Sequence, residues 1–218
     1  MQSLFNVMGL SNKPIIVIYG GTFNPIHNGH IVPAIESAKS INAEKLIYLP
    51  CHIPPHKDTP SVNSLHRLEM TKLALQDIND EQLTIEISDY ETQLTSPSYT
   101  RKTIEYFAKS YPQHHLYFLI GMDSLLSFHL WFKWQEILSF CDLLVMQRPG
   151  VSFSKSQLCE ELRPYLNNQI TITSVTEVNI SSSQIKAMYN QSNNKSLKEL
   201  SLLPTSVQHY INTHNLYK

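Results

Sequence analysis

Charge is scarce in this chain of 218 residues. Charged side chains make up 16% of it, and the formal net charge is -1. This balance lacks the basic surface that binding to nucleic acid or to an anionic membrane requires. Long apolar runs are also missing, since no stretch approaches the about 20 residues that span a bilayer. The sequence therefore predicts neither a nucleic-acid partner nor a membrane partner.

Cysteine is rare as well. Cys51, Cys141 and Cys159 are odd in number and scattered, and none belongs to a CxxC pair. Such usage is typical of proteins in the reduced cytoplasm. Residues 1–13 lack a basic segment followed by an apolar core, so we expect a short N-terminal extension rather than a secretory signal. These features predict a cytoplasmic protein.

Glycine is the third scarcity, with only six in the chain, yet three of them lie within residues 20–30, GGTFNPIHNGH. We call this segment the glycine turn. The apolar run at 15–19 before it is typical of a short buried strand, and the apolar spacing after it predicts a helix that begins near Asn28. A strand, a turn and a helix start in this order present backbone N–H groups and the positive end of a helix dipole to an anion.

Two histidines of the glycine turn, His27 and His30, stand three residues apart and can project to one side of the helix start. Imidazoles can donate hydrogen bonds to phosphate oxygens, and their charge is adjustable near neutral pH. A Walker A loop is excluded because no GK[ST] ends the segment, and the GxGxxG pattern is absent. The alternatives are ordinary histidines at a helix start and a metal-binding pair, and the metal pair is disfavoured since no Glu lies between the histidines and no Cys lies near.

Strand-like and helix-like segments alternate along the whole chain. Further strands are predicted at 45–50, 83–87, 115–120, 143–147 and 170–175. Helices are predicted at 64–78, 98–109, 154–166, 181–189, 196–203 and 204–214, with a broken helix at 123–140. This alternation predicts an α/β fold with a mainly parallel sheet, whose ligands lie outside the carboxyl ends of the strands.

The glycine turn carries a family resemblance. Its GTFNPIHNGH resembles the (H/T)xGH signature of the nucleotidyltransferase superfamily, and the full GGTFxPIHxGH form is similar to bacterial nicotinate-nucleotide adenylyltransferases. Where that family has Asp, this chain has Asn24, which loses a charge but can still fix the turn. The resemblance implies a Rossmann-like, doubly wound sheet with helices on both faces. It also implies one nucleotidyltransferase domain over residues 14–218, with a small C-terminal helical part over 186–218.

The resemblance implies an activity in NAD biosynthesis: transfer of AMP from ATP to nicotinic acid mononucleotide, giving deamido-NAD and pyrophosphate. Mg²⁺ accompanies ATP with few direct protein ligands. The attacking phosphate is already anionic, so in-line attack needs no protein base, and catalysis depends on alignment and charge stabilisation. On this hypothesis His30 binds the α-phosphate, His27 steadies neighbouring oxygens, and Lys186 with Ser183 holds the leaving pyrophosphate.

A second anion-binding element is predicted at residues 180–186, ISSSQIK, which we call the serine turn. It is similar to the family's ISSTxIR motif, with Lys186 in place of Arg, which keeps the charge but loses the planar fork. From the local pattern alone, a serine that merely caps the helix is the commoner explanation. An RPG motif at residues 148–150 also resembles the family, in which this motif lies near the adenine of ATP. The implied ATP-binding residues are Gly21, Thr22, Phe23, His27, His30, Arg148, Ser182, Ser183 and Lys186.

Further motifs resemble the family's mononucleotide site. A PHK motif and an arginine of the next helix lie near the phosphate, and an SYT motif at a helix start receives the nicotinate carboxylate, which selects the acid over the amide. The aspartate of GMDSL binds the ribose, and the first tryptophan of WFKW stacks on the pyridine ring. From the local pattern alone, the PHK motif would be a solvated loop and the arginine a surface cation. The SYT motif and the aspartate of GMDSL would be helix caps, and the aromatic residues of WFKW would pack in the core. The implied mononucleotide-binding residues are His56, Lys57, Arg67, Ser98, Tyr99, Thr100, Asp123 and Trp131.

Other functions stay open. Nicotinamide mononucleotide, phosphopantetheine or a cytidylyl transfer would suit the same fold, although the phosphopantetheine branch carries Thr at the position of His27. A catalytically silent nucleotide-binding module would make Asn24 and Lys186 signs of decay. A nucleic-acid binder is disfavoured by the low charge. A homo-oligomer is left open as a partner.

Overall fold

One sheet of six parallel strands runs through the part of the chain that the computed structural model describes, which is residues 13–53, 60–147, 150, 153–190 and 202–218. Its order is β3-β2-β1-β4-β5-β6, and each neighbouring pair is parallel. The order reverses between β1 and β4, and ligands of such sheets bind outside the carboxyl ends of the strands at this point. The strands are β1 (Ile15–Gly21), β2 (Lys45–Pro50), β3 (Thr84–Ile87), β4 (His115–Gly121), β5 (Asp142–Gln147) and β6 (Ile170–Ser174).

Helices cover both faces of the sheet. The central strands are apolar on both sides because their side chains alternate between two cores. On β1, Val17 and Tyr19 enter one core, while Ile16 and Ile18 enter the other. The helices are α1 (Asn28–Ser40), α2 (Ser64–Leu75), α3 (Thr100–Ser110), α4 (Met122–Leu126), α5 (Trp134–Leu138), α6 (Ser182–Asn190) and α7 (Thr205–Thr213). The first core packs against α1, α2, α6 and α7, and the second against α3, α4 and α5. The doubly wound, Rossmann-like prediction is confirmed.

The helix predicted over residues 154–166 is wrong. Two short 3₁₀ helices, Lys155–Gln157 and Glu160–Tyr165, occupy that stretch. Pro164 has no N–H for an α-helical hydrogen bond, and its ring disfavours the α conformation in the residue before it. Ser154 closes the first of these turns in a capping box with Gln157. Local capping and a proline therefore override the apolar spacing.

The broken helix predicted over residues 123–140 is confirmed. α4 ends at Leu126, a 3₁₀ turn follows at Phe128–Leu130, and α5 begins at Trp134. The residue before α5, Lys133, has φ 54°, which no α-helix can contain. The break places the intervening aromatic residues beside the carboxyl end of β4.

Several predictions lie outside the described residues. They are residues 1–12 of the extension, most of the helix over 196–203, and the side chains of His56, Lys57 and Arg148. The division into one domain over 14–218 with a helical part from 186 stays a prediction. Among the described residues, no helix is both long enough and apolar enough to traverse a bilayer.

Candidate active site

The conformation of the glycine turn, which follows β1, is set by the packing of its own residues. Phe23 has φ 46°, so it lies in the left-handed region. Its ring folds back so closely that a Cβ on Gly21 would stand 2.5 Å from it, and only glycine fits there. The ring also packs edge-on to Tyr19 and His30, at centroid distances of 5.4 and 5.3 Å. Phe23 is 2% exposed, so its role is to shape the turn from within.

The two predicted histidines meet at the start of α1. Their ring centroids lie 3.8 Å apart with the planes inclined by 32°. His27 is the N-cap of α1 and makes no side-chain cap, and the first turn of the helix holds no acidic residue. A Cβ on Gly29 would stand 2.9 Å from His27 Nδ1, so the missing side chain leaves room for the imidazole. The pair therefore lies where the helix dipole favours an anion.

The serine turn converges on the glycine turn. The Ser182 hydroxyl donates to the Pro25 carbonyl oxygen over 3.0 Å, which joins the two turns directly. Ser181 caps α6, since its Oγ accepts from the Gln184 N–H at 3.2 Å. Both turns line one cavity of about 1060 Å³, and Ser183 and Lys186 face it. Among the described residues around this larger cavity, Lys186 is the only lysine or arginine.

A second cavity of about 520 Å³ adjoins the first. Its wall includes the start of α3 with Tyr99 and Thr100, and Trp131 from the break after α4. Phe132, which is 49% exposed, packs on Tyr99 at the cavity's outer edge with 5.3 Å between ring centroids. The residues that line both cavities are Gly20, Gly21, Thr22, Phe118, Asp123, Ser124 and Trp131. Two ligands could therefore meet beside the carboxyl ends of β1 and β4.

The buried serine of the SYT motif already has partners of its own. Ser98 Oγ accepts from the His52 N–H over 3.0 Å and also hydrogen-bonds the carboxyl group of Glu91. Thr103 Oγ1 donates to Glu91 at 2.5 Å. Burial raises the pKa of Glu91, although both hydroxyl groups oppose that rise. The hydroxyl of Ser98 thus anchors the SYT segment within the wall of the smaller cavity, which Ser98, Glu91 and Tyr99, the uncapped N-cap of α3, all line.

Arg67 lies behind the glycine turn and is not among the residues that line either cavity. It is 1% exposed. Its guanidinium donates to three backbone carbonyl oxygens, those of Thr22 at 2.6 Å, His52 at 2.7 Å and Val62 at 3.2 Å. Burial lowers the pKa of Arg67. The side chain thus ties the glycine turn to the segment after β2, a direction that no local sequence pattern indicates.

Two residues with buried polar contacts, Glu91 and Tyr217, were not predicted from the sequence. Glu91 lies in a 3₁₀ turn after β3, where no periodic pattern marks it. Tyr217, next to the C-terminal residue, donates its hydroxyl proton to Asn24 Oδ1 over 2.7 Å. Asn24 and Tyr217 are so far apart in the chain that no local sequence pattern indicates their contact. Asn24 therefore has a defined partner where the resembling family has an aspartate.

Comparison with known proteins gives consistent matches along the chain. A family model described as cytidylyltransferase-like matches residues 18–188. A protein of Shewanella pealeana named "Probable nicotinate-nucleotide adenylyltransferase" is 38% identical, over 93% of this chain and 95% of its own. One of the same name from Pseudoalteromonas atlantica is 37% identical, over 94% and 96%.

Solved structures share the fold. The Plasmodium falciparum nicotinic acid mononucleotide adenylyltransferase complexed with NaAD matches with a TM-score of 0.76 and 18% identity, over 94% of this chain and 97% of that chain. The same protein complexed with APC matches with a TM-score of 0.72 and 17% identity, over the same shares. At such identities the likeness extends to the arrangement of strands and helices.

Proposed function

The chain belongs to the cytidylyltransferase-like family and, within it, to the nicotinate-nucleotide adenylyltransferases, and we propose that it joins ATP to nicotinic acid mononucleotide. AMP is transferred to the mononucleotide, which gives deamido-NAD for NAD biosynthesis and releases pyrophosphate. The observation that carries this proposal is the junction of the two cavities. Seven residues line both, so a nucleotide in each would bring its phosphate to the same place.

ATP fits the larger cavity. Its phosphates would lie between the glycine turn and the serine turn, where the starts of two helices, Lys186 and the histidine pair supply positive charge or donors. Thr22 and Ser183 add hydroxyl groups from the two turns. Ser182 would bind through its N–H group, since its hydroxyl proton is directed to Pro25. Arg148 near the adenine is part of the proposal through the family resemblance.

The mononucleotide fits the smaller cavity. Its pyridine ring would stack on Trp131, and its carboxylate would accept hydrogen bonds from the start of α3 at Tyr99 and Thr100. An amide offers fewer acceptor sites and would leave donors unpaired, so the acid is the preferred substrate. Asp123, on the wall between the cavities, is positioned for the ribose hydroxyls. His56 and Lys57 enter the proposal as phosphate contacts through the family resemblance.

The transfer needs no covalent intermediate. A phosphate oxygen of the mononucleotide forms a bond to the α-phosphorus of ATP, and the bond from that phosphorus to the bridging oxygen breaks, so pyrophosphate leaves with the electron pair. His30 and His27 would donate to oxygens of the reacting phosphate as charge develops. Lys186 and Ser183 would hold the pyrophosphate. The acceleration then comes from alignment and from preorganised donors.

Mg²⁺ is part of the proposal as a companion of ATP. The described residues contain no group of three or more His, Cys, Asp or Glu side chains that could hold a metal. We propose that the phosphates of ATP hold the ion, which offsets their charge. A cytoplasmic location is likewise proposed, which agrees with the free thiols of all three cysteines.

A substrate panel tests the proposed function. Pyrophosphate release from ATP and Mg²⁺ is measured with nicotinic acid mononucleotide, nicotinamide mononucleotide, phosphopantetheine or no acceptor. We expect release only when an acceptor is added, fastest with nicotinic acid mononucleotide. Equal rates with the amide would contradict the assigned carboxylate contact. Absence of release with every acceptor would reject the transferase and favour a silent binding module.

A further inference from the structure

The C-terminal segment, residues 202–218, returns to the glycine turn. After α7 the chain bends sharply, since Asn215 and Tyr217 have φ values of 52° and 64°. The bend buries Tyr217 to 8% exposure and brings its hydroxyl to Asn24, which is equally buried. At the other end of the segment, the Leu202 carbonyl oxygen accepts from the N–H of Asn28 at 3.0 Å. The segment thus holds the turn at two points, one on each side of Pro25 and His27.

The same segment is anchored to α2 without the help of Tyr217. Ser206 Oγ donates to the Leu73 carbonyl oxygen over 2.8 Å, and the hydroxyl of Tyr210 lies 2.9 Å from His66 Nδ1. Val207, an apolar residue of α7, is fully buried in the first core. The loss of one hydroxyl near the C-terminus would therefore leave the segment attached.

The hydroxyl of Tyr217 is suited to a permanent contact. Burial raises the pKa of Tyr217 well above its ordinary value, although the nearby Arg67 charge opposes the rise. The group therefore stays protonated and donates throughout the neutral range. Its acceptor, Asn24, lines the larger cavity three residues before His27. Arg67 in turn holds the Thr22 carbonyl oxygen, so the two side chains support the same turn from beneath.

We propose that Tyr217 is a positioning residue for the reaction, which holds Asn24 and thereby fixes the placement of His27 and His30 against the nucleotide phosphates. This inference rests on the proposed function for its kinetic consequences. Its structural content is independent, because it concerns the order of the glycine turn itself. Leaving a buried hydrogen-bond acceptor without its donor carries a free-energy cost. This cost is enough to shift the equilibrium between the ordered and the disordered glycine turn by about tenfold.

The test compares Tyr217→Phe with Tyr117→Phe. Tyr117 is a matched control because it is 9% exposed and hydrogen-bonds Thr171, near the strand ends opposite the site. We expect Tyr217→Phe to lower kcat/KM for ATP by about tenfold, mainly through kcat. Tyr117→Phe should leave both constants within about twofold of the unsubstituted enzyme. Thermal unfolding followed by circular dichroism ensures that rates are compared at equal folded fractions.

A second measurement does not depend on catalysis. Amide hydrogen exchange of peptides that cover residues 20–30 should be faster in Tyr217→Phe and unchanged in Tyr117→Phe. Equal exchange and equal kinetics in the two variants would overturn the inference, as would an equal loss in both or a failure of Tyr217→Phe to fold. Faster exchange together with an inactive unsubstituted protein would reject the proposed function and leave only the structural part of the inference, that Tyr217 orders the glycine turn.

Discussion

Replacement of Arg67 by lysine separates two roles that the sequence and the structure assign to this side chain. The family resemblance predicts a contact with the mononucleotide phosphate. The structure instead directs the guanidinium to the carbonyl oxygens of Thr22, His52 and Val62. Lysine keeps the positive charge but donates from one nitrogen, whereas the three acceptors are separate carbonyl groups, one in the glycine turn and two in the segment between β2 and α2. The substitution therefore preserves a simple charge contact and breaks a distributed one.

The expected loss of stability follows from the number of bonds. A hydrogen bond from a charged donor contributes about 1.5 to 3 kcal/mol. If lysine retains one of the three bonds, the loss of two amounts to at least about 3 kcal/mol. In a protein of this size, each kcal/mol lowers the melting temperature by about 2–4 °C. Arg67→Lys should thus melt at least about 6–12 °C below the unsubstituted protein.

Differential scanning calorimetry and steady-state kinetics provide the readouts. Arg163→Lys is the control, because Arg163 also donates to backbone carbonyl oxygens, those of Leu158 and Ser156, but its side chain is 36% exposed. Its melting temperature should change by no more than about 2–4 °C, since exposed contacts contribute little. An unchanged melting temperature for Arg67→Lys, with a raised KM for the mononucleotide alone, would refute the structural role and restore the substrate contact.

The remaining predictions concern the histidine pair and the buried acid. His30→Ala should lower kcat by at least about a hundredfold with little change in substrate binding, measured by pyrophosphate release beside a control at the exposed His209, His209→Ala, and unchanged turnover would remove His30 from the mechanism. Gly29→Ala adds a Cβ 2.9 Å from His27 Nδ1, so displacement of that ring should lower kcat by about ten- to a hundredfold, and kinetics equal to those of the parent would contradict it. Burial raises the pKa of Glu91 above its ordinary 4.5, so the folded protein holds this proton more tightly than the unfolded chain does. The free energy of unfolding therefore falls as the pH rises from 4.5 through the pKa of Glu91 in the folded protein. Glu91→Gln should flatten this fall in urea unfolding over a pH series, and an unaltered pH slope would show that Glu91 does not cause it.

The strands and most helices could be predicted because parallel strands buried on both faces appear as continuous apolar runs. Residues 45–50 and 115–120 are such runs, and the structure has β2 and β4 there. The convergence of the glycine and serine turns follows from the same logic, since loops at the carboxyl ends of neighbouring strands share one edge. The family resemblance supplied the identities of the motif residues. Local pattern alone favoured a plain helix cap for the serine turn, and Ser181 does cap α6.

The direction of a polar side chain could not be predicted. Arg67 and Ser98 lie in segments that resemble ligand-binding motifs, yet both engage buried backbone groups. The same donors that suit a phosphate also suit a carbonyl oxygen that folding removes from water. Only the packing of distant segments decides which acceptor is near. Tyr217 and Asn24 are the extreme case, because their contact joins the C-terminus to the first turn of the fold.

The low charge of the chain gives these buried contacts their importance. A strongly basic cleft can attract a polyanion with little regard to local geometry, because its field acts over about a Debye length. Here Lys186 is the only lysine or arginine among the described residues around the larger cavity, and helix starts, hydroxyl groups and imidazoles are the other donors. Such dipoles act only over short distances and in the right orientation, so their effect depends on how firmly the glycine turn is held. We therefore expect Arg67 and Tyr217, which hold the glycine turn, to affect phosphate binding without touching the phosphates.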